Sequence, residues 1–360
     1  MTKTLHYQEE IRHRLGRLRC PDCLSALEIA EGLICARCNR NFADETTGFL
    51  CLLPGSQSLT KQSIQGFWGD IYRQWHAEED RTRTQEGLKK DLDLLEDLFR
   101  RRQHLAVVEM PLTELAGKEI LEIGSGAGGH SALFRRHGAN VTSLDITPQR
   151  VAATMHKLDL LREVAPGSGL AVQGDAENLP FGDHSFDIVY SNGVLHHTEA
   201  TGRCIEEVFR VLKPGGQAVI MLYAKHSAEY WLVLVPWGIL TGWAFRLPHA
   251  HWLGRATEGR PKFQGESNPV TQLFTKAQVA RFFNAFERTS LRKNGFLLSH
   301  LPLPKRAILR DKIVTASGGS PHDGGRIVYG TPMVPETRFE LTLGRLIGCC
   351  WNIKAVKARS

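Results

Sequence analysis

From Ile120 to Ala127 the chain reads Ile-Leu-Glu-Ile-Gly-Ser-Gly-Ala, and after Gly128 and Gly129 a helical pattern continues to His137. An apolar run, a glycine break and a helical period in that order predict a buried strand, a tight turn and a helix N-terminus. Short strand-like runs recur at Asn140–Asp145, Phe186–Tyr190 and Gln217–Tyr223. A helix ending at Leu212-Lys-Pro-Gly-Gly216 precedes the last of these, and Cys349–Ala358 reads as a final strand. Asn268-Pro269-Val270 leads into a helix over Lys276–Phe286, capped by Thr275. Strands alternating with helices of this kind predict an α/β fold.

Between Gln57 and about Met110 the pattern is polar and helix-prone. Phe67, Ile71 and Trp75 recur at i, i+4 and i+8 and predict one core-facing stripe. Trp68 and Tyr72 fall on an adjacent flank, where they are candidates for the wall of a site. Asp91–Phe99 carries leucines at helical spacing, and the flanking Lys89-Lys90 and Arg100-Arg101-Arg102 are read as solvated charges. Later, His226–Phe263 holds Trp231, Trp237, Trp243 and Trp252, four of the seven tryptophans. Its uncharged run, Tyr230–Phe245, is shorter than the roughly 20 residues a spanning helix needs, and Pro236, Gly238 and Gly242 interrupt it. An insertion at this point sits at the carboxyl edge of the sheet, where α/β enzymes bind ligands. It is expected to act as a lid or acceptor wall, or as a shallow membrane contact, with plain packing or a dimer contact as the alternative. Thr315–Pro335, rich in Gly, Ser and Pro, reads as a mobile loop.

At 360 residues there is room for one α/β core and a smaller module. The apolar share of 42% and charged share of 23% are those of a globular protein. No basic-then-apolar leader opens the sequence, so the expected location is cytoplasmic, with peripheral membrane contact as an option. The net charge of +7 is uneven: from Arg281 onward there are 14 Lys/Arg against 5 Asp/Glu. A solvated face is the first reading of that excess, and a polyanion site the second.

Eight cysteines divide into an ordered set and a scatter. Cys20-Pro-Asp-Cys23 and Cys35-Ala-Arg-Cys38 are two C-x-x-C knuckles 11 residues apart, a spacing suited to tetrahedral zinc. Paired disulfides and an iron–sulfur cluster are the alternatives. Cys51, Cys204, Cys349 and Cys350 are expected to be packing residues. The segment Leu18–Pro54, with Phe42 and the Gly48–Leu53 run, is too small to fold unaided, so metal should supply much of its folding energy. Four thiolates leave no open position, which points to a structural ion.

The remaining motifs carry chemistry. Gly124, Gly126 and Gly128 let backbone approach a ligand, and the following helix start offers unpaired N–H groups to an anion. Asp145 ends the next strand about 20 residues after the first glycine, where dinucleotide folds place a ribose-binding acid. Gly174-Asp-Ala-Glu-Asn-Leu-Pro-Phe181 and Ser191-Asn-Gly-Val-Leu-His-His197 follow in order. Together these motifs, over Gly117–Tyr223, make the chain resemble the class I S-adenosylmethionine-dependent methyltransferases, particularly those with small-molecule and quinone-type acceptors. The Cys-rich segment similarly resembles small zinc-ribbon modules found beside methyltransferases.

The resemblance implies a Rossmann-like, mostly parallel seven-stranded sheet. It also implies that Glu122 and the loop of Gly124, Ser125, Gly126 and Gly128 hold the amino-acid end of S-adenosylmethionine. Asp145 and Ile146 would meet ribose and adenine, Asp175 and Ala176 the adenine edge, and Ser191 would give backbone contact near the sulfonium. Asp175 capping the following turn is the alternative for that residue. The resulting division is a zinc-ribbon-like module at 1–55, a helical linker and cofactor lid at 56–110, and a methyltransferase domain at 111–360 with an insertion at about 225–265.

A sulfonium methyl is already electrophilic, so the protein must align the acceptor, exclude water and, where needed, remove a proton. His196 is the first choice of base, His197 the second and Tyr223 a weaker third. The expected function is methyl transfer to oxygen, carbon or nitrogen of a small, apolar biosynthetic intermediate. The alternative is an rRNA or tRNA methyltransferase gripping phosphates through the zinc module and the basic C-terminal part. A cofactor-binding protein without catalysis is the third class.

Overall fold

The computed structural model describes residues 2–30, 32–42, 49–257, 267–298, 301–316 and 336–359. A two-stranded hairpin, β1 (Leu27–Ile29) and β2 (Leu33–Cys35), stands beside one large sheet. The strands of that sheet are β3 (Leu50–Leu52), β4 (Glu119–Ile123), β5 (Asn140–Asp145), β6 (Gly169–Gly174), β7 (Phe186–Asn192), β8 (Leu212–Tyr223), β9 (Arg288–Asn294) and β10 (Cys350–Val356). Their order is β3-β6-β5-β4-β7-β8-β10-β9. Strand β10 runs antiparallel to both β8 and β9, while the pairings from β3 through β8 are parallel. This is the Rossmann-like arrangement expected, with an eighth strand where seven were anticipated; the addition is β3, from the Cys-rich segment, on the β6 edge.

Residues alternate across the sheet as the period of two requires. Leu121, Ile123 and Val189 pack on one face with Ile205 and Val208 of the Thr201–Val211 helix. Ile120, Ile188 and Tyr190 pack on the other with Leu88, Leu92, Leu95 and Phe99 of the Gln85–Arg101 helix. The leucine spacing read in the sequence is therefore one apolar stripe covering the sheet. The Thr201–Val211 helix stops at Val211, and Leu212-Lys-Pro-Gly-Gly216 already belongs to β8, with a register shift against β7 between Phe186 and Ile188.

The first 55 residues are not a detached module. Leu18, Cys20, Leu27, Leu33, Cys35 and Phe42 share one continuous core with the sheet face and the Thr201–Val211 helix. Buried Arg14 reaches across to Thr142 Oγ1 at 3.2 Å and Ser168 Oγ at 2.7 Å. Leu18 bridges to Phe181, and the Arg19 amide donates to the Pro180 carbonyl. Of the expected loop Thr315–Pro335, Thr315 and Ala316 close the Arg306–Ala316 helix. Residues 317–335 of the anticipated mobile loop, residues 258–265 of the insertion and Gly48 lie outside the described residues.

Candidate functional site

Strand β4 sits at the topological switch point: β5 pairs with it on one side and β7 on the other. Open α/β sheets bind ligands at the carboxyl ends of strands there. The turn after β4 runs through Gly124 at φ +77° and Gly128 at φ +81°. A Cβ at Gly124 would stand 2.2 Å from Cγ2 of Val194, and one at Gly128 would stand 2.7 Å from the Thr154 Cα. Both positions therefore require glycine on conformational and steric grounds. Gly128 then caps the Gly129–Arg136 helix, and Ser125 Oγ is 3.0 Å from Thr154 Oγ1.

Asp145, at the end of β5, turns back over this loop. Its Oδ2 accepts the Gly126 amide at 3.1 Å and its Oδ1 the Thr147 amide at 2.9 Å. Burial pushes its carboxyl up from the ordinary value, against the pull of Arg150 and these two amides. A carboxylate oxygen accepts from more than one donor, so each retains capacity for a hydroxyl. Glu122 lies deeper. Burial pushes its carboxyl up to about 8, opposed by a hydrogen bond donated by the Ser131 hydroxyl and reinforced by the Asp145 charge. His130 Nδ1 is 3.7 Å from Glu122 and 3.1 Å from the Tyr190 hydroxyl, and burial pushes this imidazole down to about 4.

Two clefts meet at this loop and share Gly124, Gly126 and Arg150. The larger spans about 740 Å³ including its open mouth, and among its lining are Asp145, Ile146, Asp175, Ala176, Val194 and His197. The smaller, of about 440 Å³, takes in Glu122, Ser125, Ala127, His130 and Asn192, with Tyr72 and His76 on its outer side. The Leu59–Trp75 helix closes over both. Its Ser58 cap receives the Lys61 amide at 3.0 Å and donates to Glu199 at 2.6 Å. Phe67 and Ile71 face inward as a stripe, while Trp68 enters the larger cleft and Tyr72 the smaller.

Asp175 is both a turn residue and part of the site. Its Oδ1 accepts the Glu177 amide at 2.9 Å, and its Oδ2 meets Lys61 Nζ at 2.6 Å. Glu177 meets the same Nζ at 2.9 Å. Burial opposes the Lys61 charge, but these two carboxylates outweigh it and hold the ammonium above its ordinary value.

The expected site residues separate on inspection. Glu122, Gly124, Ser125, Gly126, Asp145, Ile146, Asp175, Ala176 and His197 line one cleft or the other. Gly128 shapes the turn behind them. Ser191 is fully buried and its hydroxyl donates to the Ile123 carbonyl at 2.9 Å, tying β7 to β4. The next residues, Asn192, Gly193 and Val194, line the clefts instead. His196 lines neither cleft. It is fully buried, stacked on Tyr223 with ring centres 3.7 Å apart, and neither ring nitrogen has a hydrogen-bond partner among the described residues. Burial, then neighbouring His197, push its imidazole well below the ordinary value. A one-residue step around a helical turn is enough to send the adjacent side chains of His196 and His197 to different surroundings. Tyr223 also lies outside the lining.

His197 Nδ1 is 3.0 Å from the Val270 carbonyl, 2.8 Å from Asn268 Nδ2 and 3.3 Å from Thr271 Oγ1. Its ring stands 5.4 Å from that of Trp68. Arg150 also approaches Trp68, its guanidinium carbon 5.2 Å from the indole centre and its Nε 3.4 Å from the Trp68 carbonyl. Lys61 and Arg150 are site residues that the sequence reading passed over. The available signal for Arg150 was its place in the first turn after the Asp145 strand, and for Lys61 its place in the first turn of the lid helix.

The four knuckle cysteines converge. All four sulfurs lie within 4.8 Å of one another, with Cys20 and Cys38 3.7 Å apart and Cys23 and Cys35 3.4 Å apart. Thiolates around tetrahedral zinc, at Zn–S of about 2.3 Å, stand about 3.8 Å apart. A disulfide would need about 2.05 Å. The Arg37 and Cys38 amides point at Cys35 Sγ at 3.4 and 3.5 Å, supporting negative charge on it. The donor set therefore fits a metal ion held by four thiolates.

Residues 121–220 match the methyltransferase domain family. This segment is a methyltransferase domain. A phthiotriol/phenolphthiotriol dimycocerosates methyltransferase of Mycobacterium leprae is 40% identical over 119 residues, which are 32% of this chain and 42% of that protein. The biotin biosynthesis bifunctional protein BioHC of Cellvibrio japonicus is 38% identical over 107 residues, 30% of this chain and 20% of that one. The chain thus spans less than half the length of these relatives. A solved complex of the Haloferax volcanii Trm112 methyltransferase activator with a methyltransferase covers 81% of this chain and 98% of the matched one. Its TM-score of 0.45 and identity of 17% are too low to carry function.

Proposed function

We propose that this protein is an S-adenosylmethionine-dependent methyltransferase acting on a small, lipophilic acceptor. The observation that carries the reading is the placement of the buried Asp145 carboxylate over the Gly124–Gly128 turn at the carboxyl ends of β4 and β5. The larger cleft beside it is lined by Asp145, Ile146, Asp175 and Ala176 together with apolar Ile64, Trp68 and Val194, a mixture suited to a small-molecule site. When bound, S-adenosylmethionine supplies a methyl group already activated on a sulfonium.

The chain's own residues then bind and orient. Asp145 accepts the ribose hydroxyls, and Ile146 and Ala176 flank the adenine, with Asp175 at its edge. Glu122 and the turn through Gly124, Ser125, Gly126 and Gly128 take the amino-acid end, and Arg150 supplies the positive charge its carboxylate needs. Ser191 gives backbone contact near the sulfonium in this reading, continued by Asn192 and Gly193, which line the clefts. Trp68 and the lid helix exclude water. His197, oriented through Nδ1, is the imidazole that takes a proton from the acceptor in this reading. The Cys20, Cys23, Cys35 and Cys38 set holds a structural Zn²⁺, and the three-part division at 1–55, 56–110 and 111–360 is kept as a functional one.

Two findings favour a lipophilic acceptor over RNA. The mycobacterial relatives are named for lipid-like compounds. In the basic C-terminal part, three of the charges are also engaged internally: Arg292 pairs with Glu109, Arg310 with Glu340, and Lys357 donates to the Phe209 and Leu212 carbonyls. The test is methyl transfer from labelled S-adenosylmethionine to a lipid-and-metabolite extract and, separately, to total RNA with and without RNase. Label in an RNase-resistant, organic-extractable product supports the proposal. Label that disappears with RNase replaces it with the RNA reading.

A further inference from the structure

The tryptophan-rich insertion has an inner and an outer face, and both are apolar. A π-helical turn at Tyr230–Leu234 runs into helices at Val235–Leu240, Trp243–Arg246 and His249–Thr257. Inward, Tyr230, Leu234, Trp252 and Leu253 form a small core of their own, closed by a 3.1 Å contact between the Tyr230 hydroxyl and His249 Nε2. Outward, Trp231, Trp237, Leu240 and Phe245 stand in solvent, with Leu240 79% and Phe245 77% exposed. A helix in contact with water on one side ordinarily turns polar residues that way. Here Tyr230–Phe245 contains no charged residue.

The outer face extends beyond the insertion. Lys293 Nζ donates to the carbonyls of both His226 and Leu346, holding the insertion's first turn beside the Arg338–Ile347 helix. Leu346 is 71% exposed there. Several large apolar side chains this exposed on a folded chain point to an interaction site.

Its surroundings are selective about the partner. Arg246 and Arg255 are exposed, and between Tyr230 and Thr257 there is no Asp or Glu. The Arg255 guanidinium lies 5.8 Å from the Trp243 ring, so cation and indole occupy the same level. Indoles beside cations above aliphatic side chains match the layering of a bilayer surface, with its headgroups, anionic charge and acyl boundary. No described helix is long and apolar enough to cross a membrane, so this face would lie on one.

The same insertion packs against the segment that holds His197. The Thr271 amide donates to the Ala250 carbonyl at 3.2 Å, and a Cβ on Gly254 would stand 2.0 Å from the Asn268 carbonyl oxygen. Asn268, Val270 and Thr271 are the residues that hold His197. We propose that the outer face of the 230–257 insertion, continued by Leu346, docks peripherally on an anionic lipid bilayer. The docking itself stands without the methyltransferase reading. Its purpose, delivery of a membrane-dissolved acceptor to the His197 side of the cleft, rests on that reading.

The experiment is flotation of the full chain, without S-adenosylmethionine, with vesicles of phosphatidylcholine alone and of phosphatidylcholine with phosphatidylglycerol. Binding is expected to the anionic vesicles, weakening with salt, with quenching of tryptophan emission by brominated acyl chains. Leu240→Glu with Phe245→Glu should lower partitioning about tenfold or more, and Arg246→Glu should weaken the anionic preference; cofactor binding should be kept in each. Wild-type protein that stays with neither vesicle overturns the proposal. So does a concentration-dependent dimer, dispersed by the double variant, in place of flotation, because the face would then belong to a second copy of the chain. Quenching in the wild type needs no variant and decides the matter should the double variant fail to fold.

Discussion

Lys61 Nζ lies 2.6 Å from Asp175 Oδ2 and 2.9 Å from Glu177 Oε2, so one cation of the lid helix is shared by two carboxylates after β6. Removing it leaves two neighbouring negative charges with little water. Lys61→Met should cost up to about 3 kcal/mol, reduced from the fully buried case because the group sits at the cleft mouth. The lid should loosen as well. Denaturant titration reads the stability, and hydrogen exchange over 59–75 reads the lid. Unchanged exchange there would show that the helix is held by Phe67 and Ile71 alone.

Asp145→Ala should weaken S-adenosylmethionine binding by about 1.5–3 kcal/mol, the worth of hydrogen bonds to a charged acceptor. Asp145 also accepts the Gly126 and Thr147 amides, so the alanine variant loosens the turn. Asp145→Asn retains one oxygen acceptor and should fall between. Calorimetric titration checks the order, and equal affinity in all three proteins removes Asp145 from the cofactor site.

Much of this arrangement was legible from sequence because local chemistry dictates it. Gly124 and Gly128 declare themselves, since a left-handed turn packed against Val194 and Thr154 admits no side chain. The two knuckles declare themselves by spacing. What did not show was anything decided by a meeting of distant segments. Strand β3 is three residues long and acquires its place only by pairing with β6. Lys61 and Arg150 look like surface cations until the lid helix folds over the sheet. The different surroundings of His196 and His197 turned on the 268–271 segment, more than seventy residues downstream, which captures one imidazole and leaves its neighbour against Tyr223.

Glu122 makes stability depend on pH in a direction opposite to that of most carboxylates. Its folded value near 8 lies above its ordinary 4.5, so between those values the folded protein keeps a proton that the unfolded chain has released. Stability should therefore fall as pH rises through that window, by at most about 1.4 kcal/mol per pH unit from this group. Glu122→Gln should flatten the slope. If Glu122 meets the ammonium of the cofactor, binding near pH 7 should also release a proton, measured by calorimetry in buffers of different ionisation enthalpy. A binding enthalpy independent of buffer would separate Glu122 from that ammonium.

Cys20→Ser and Cys38→Ser should each lower bound zinc, read by elemental analysis of the purified protein. Because Cys20, Leu18 and Phe42 share the core of the large sheet, the loss should reach the whole fold. The main thermal transition should drop by about 5 °C or more, consistent with the loss of a few kcal/mol. Stoichiometric zinc in both variants would refute a four-thiolate site, and loss of zinc with an unmoved transition would show the module to be energetically separate.

His197 and His196 offer a direct contrast between a cleft residue and a packed one. If His197 takes the acceptor proton, His197→Ala should slow methyl transfer roughly 100- to 10,000-fold with cofactor affinity nearly intact. His196→Phe preserves the aromatic contact with Tyr223 and removes two ring nitrogens that have no hydrogen-bond partner among the described residues, so stability should hold or rise. The pH profile separates a base from a positioning residue. A base gives the wild type an acid limb, as the imidazole becomes protonated, that the alanine variant loses. Should both variants keep the same limb and the same turnover, the acceptor must lose its proton without either histidine, and alignment in the cleft would be the protein's whole contribution to the step.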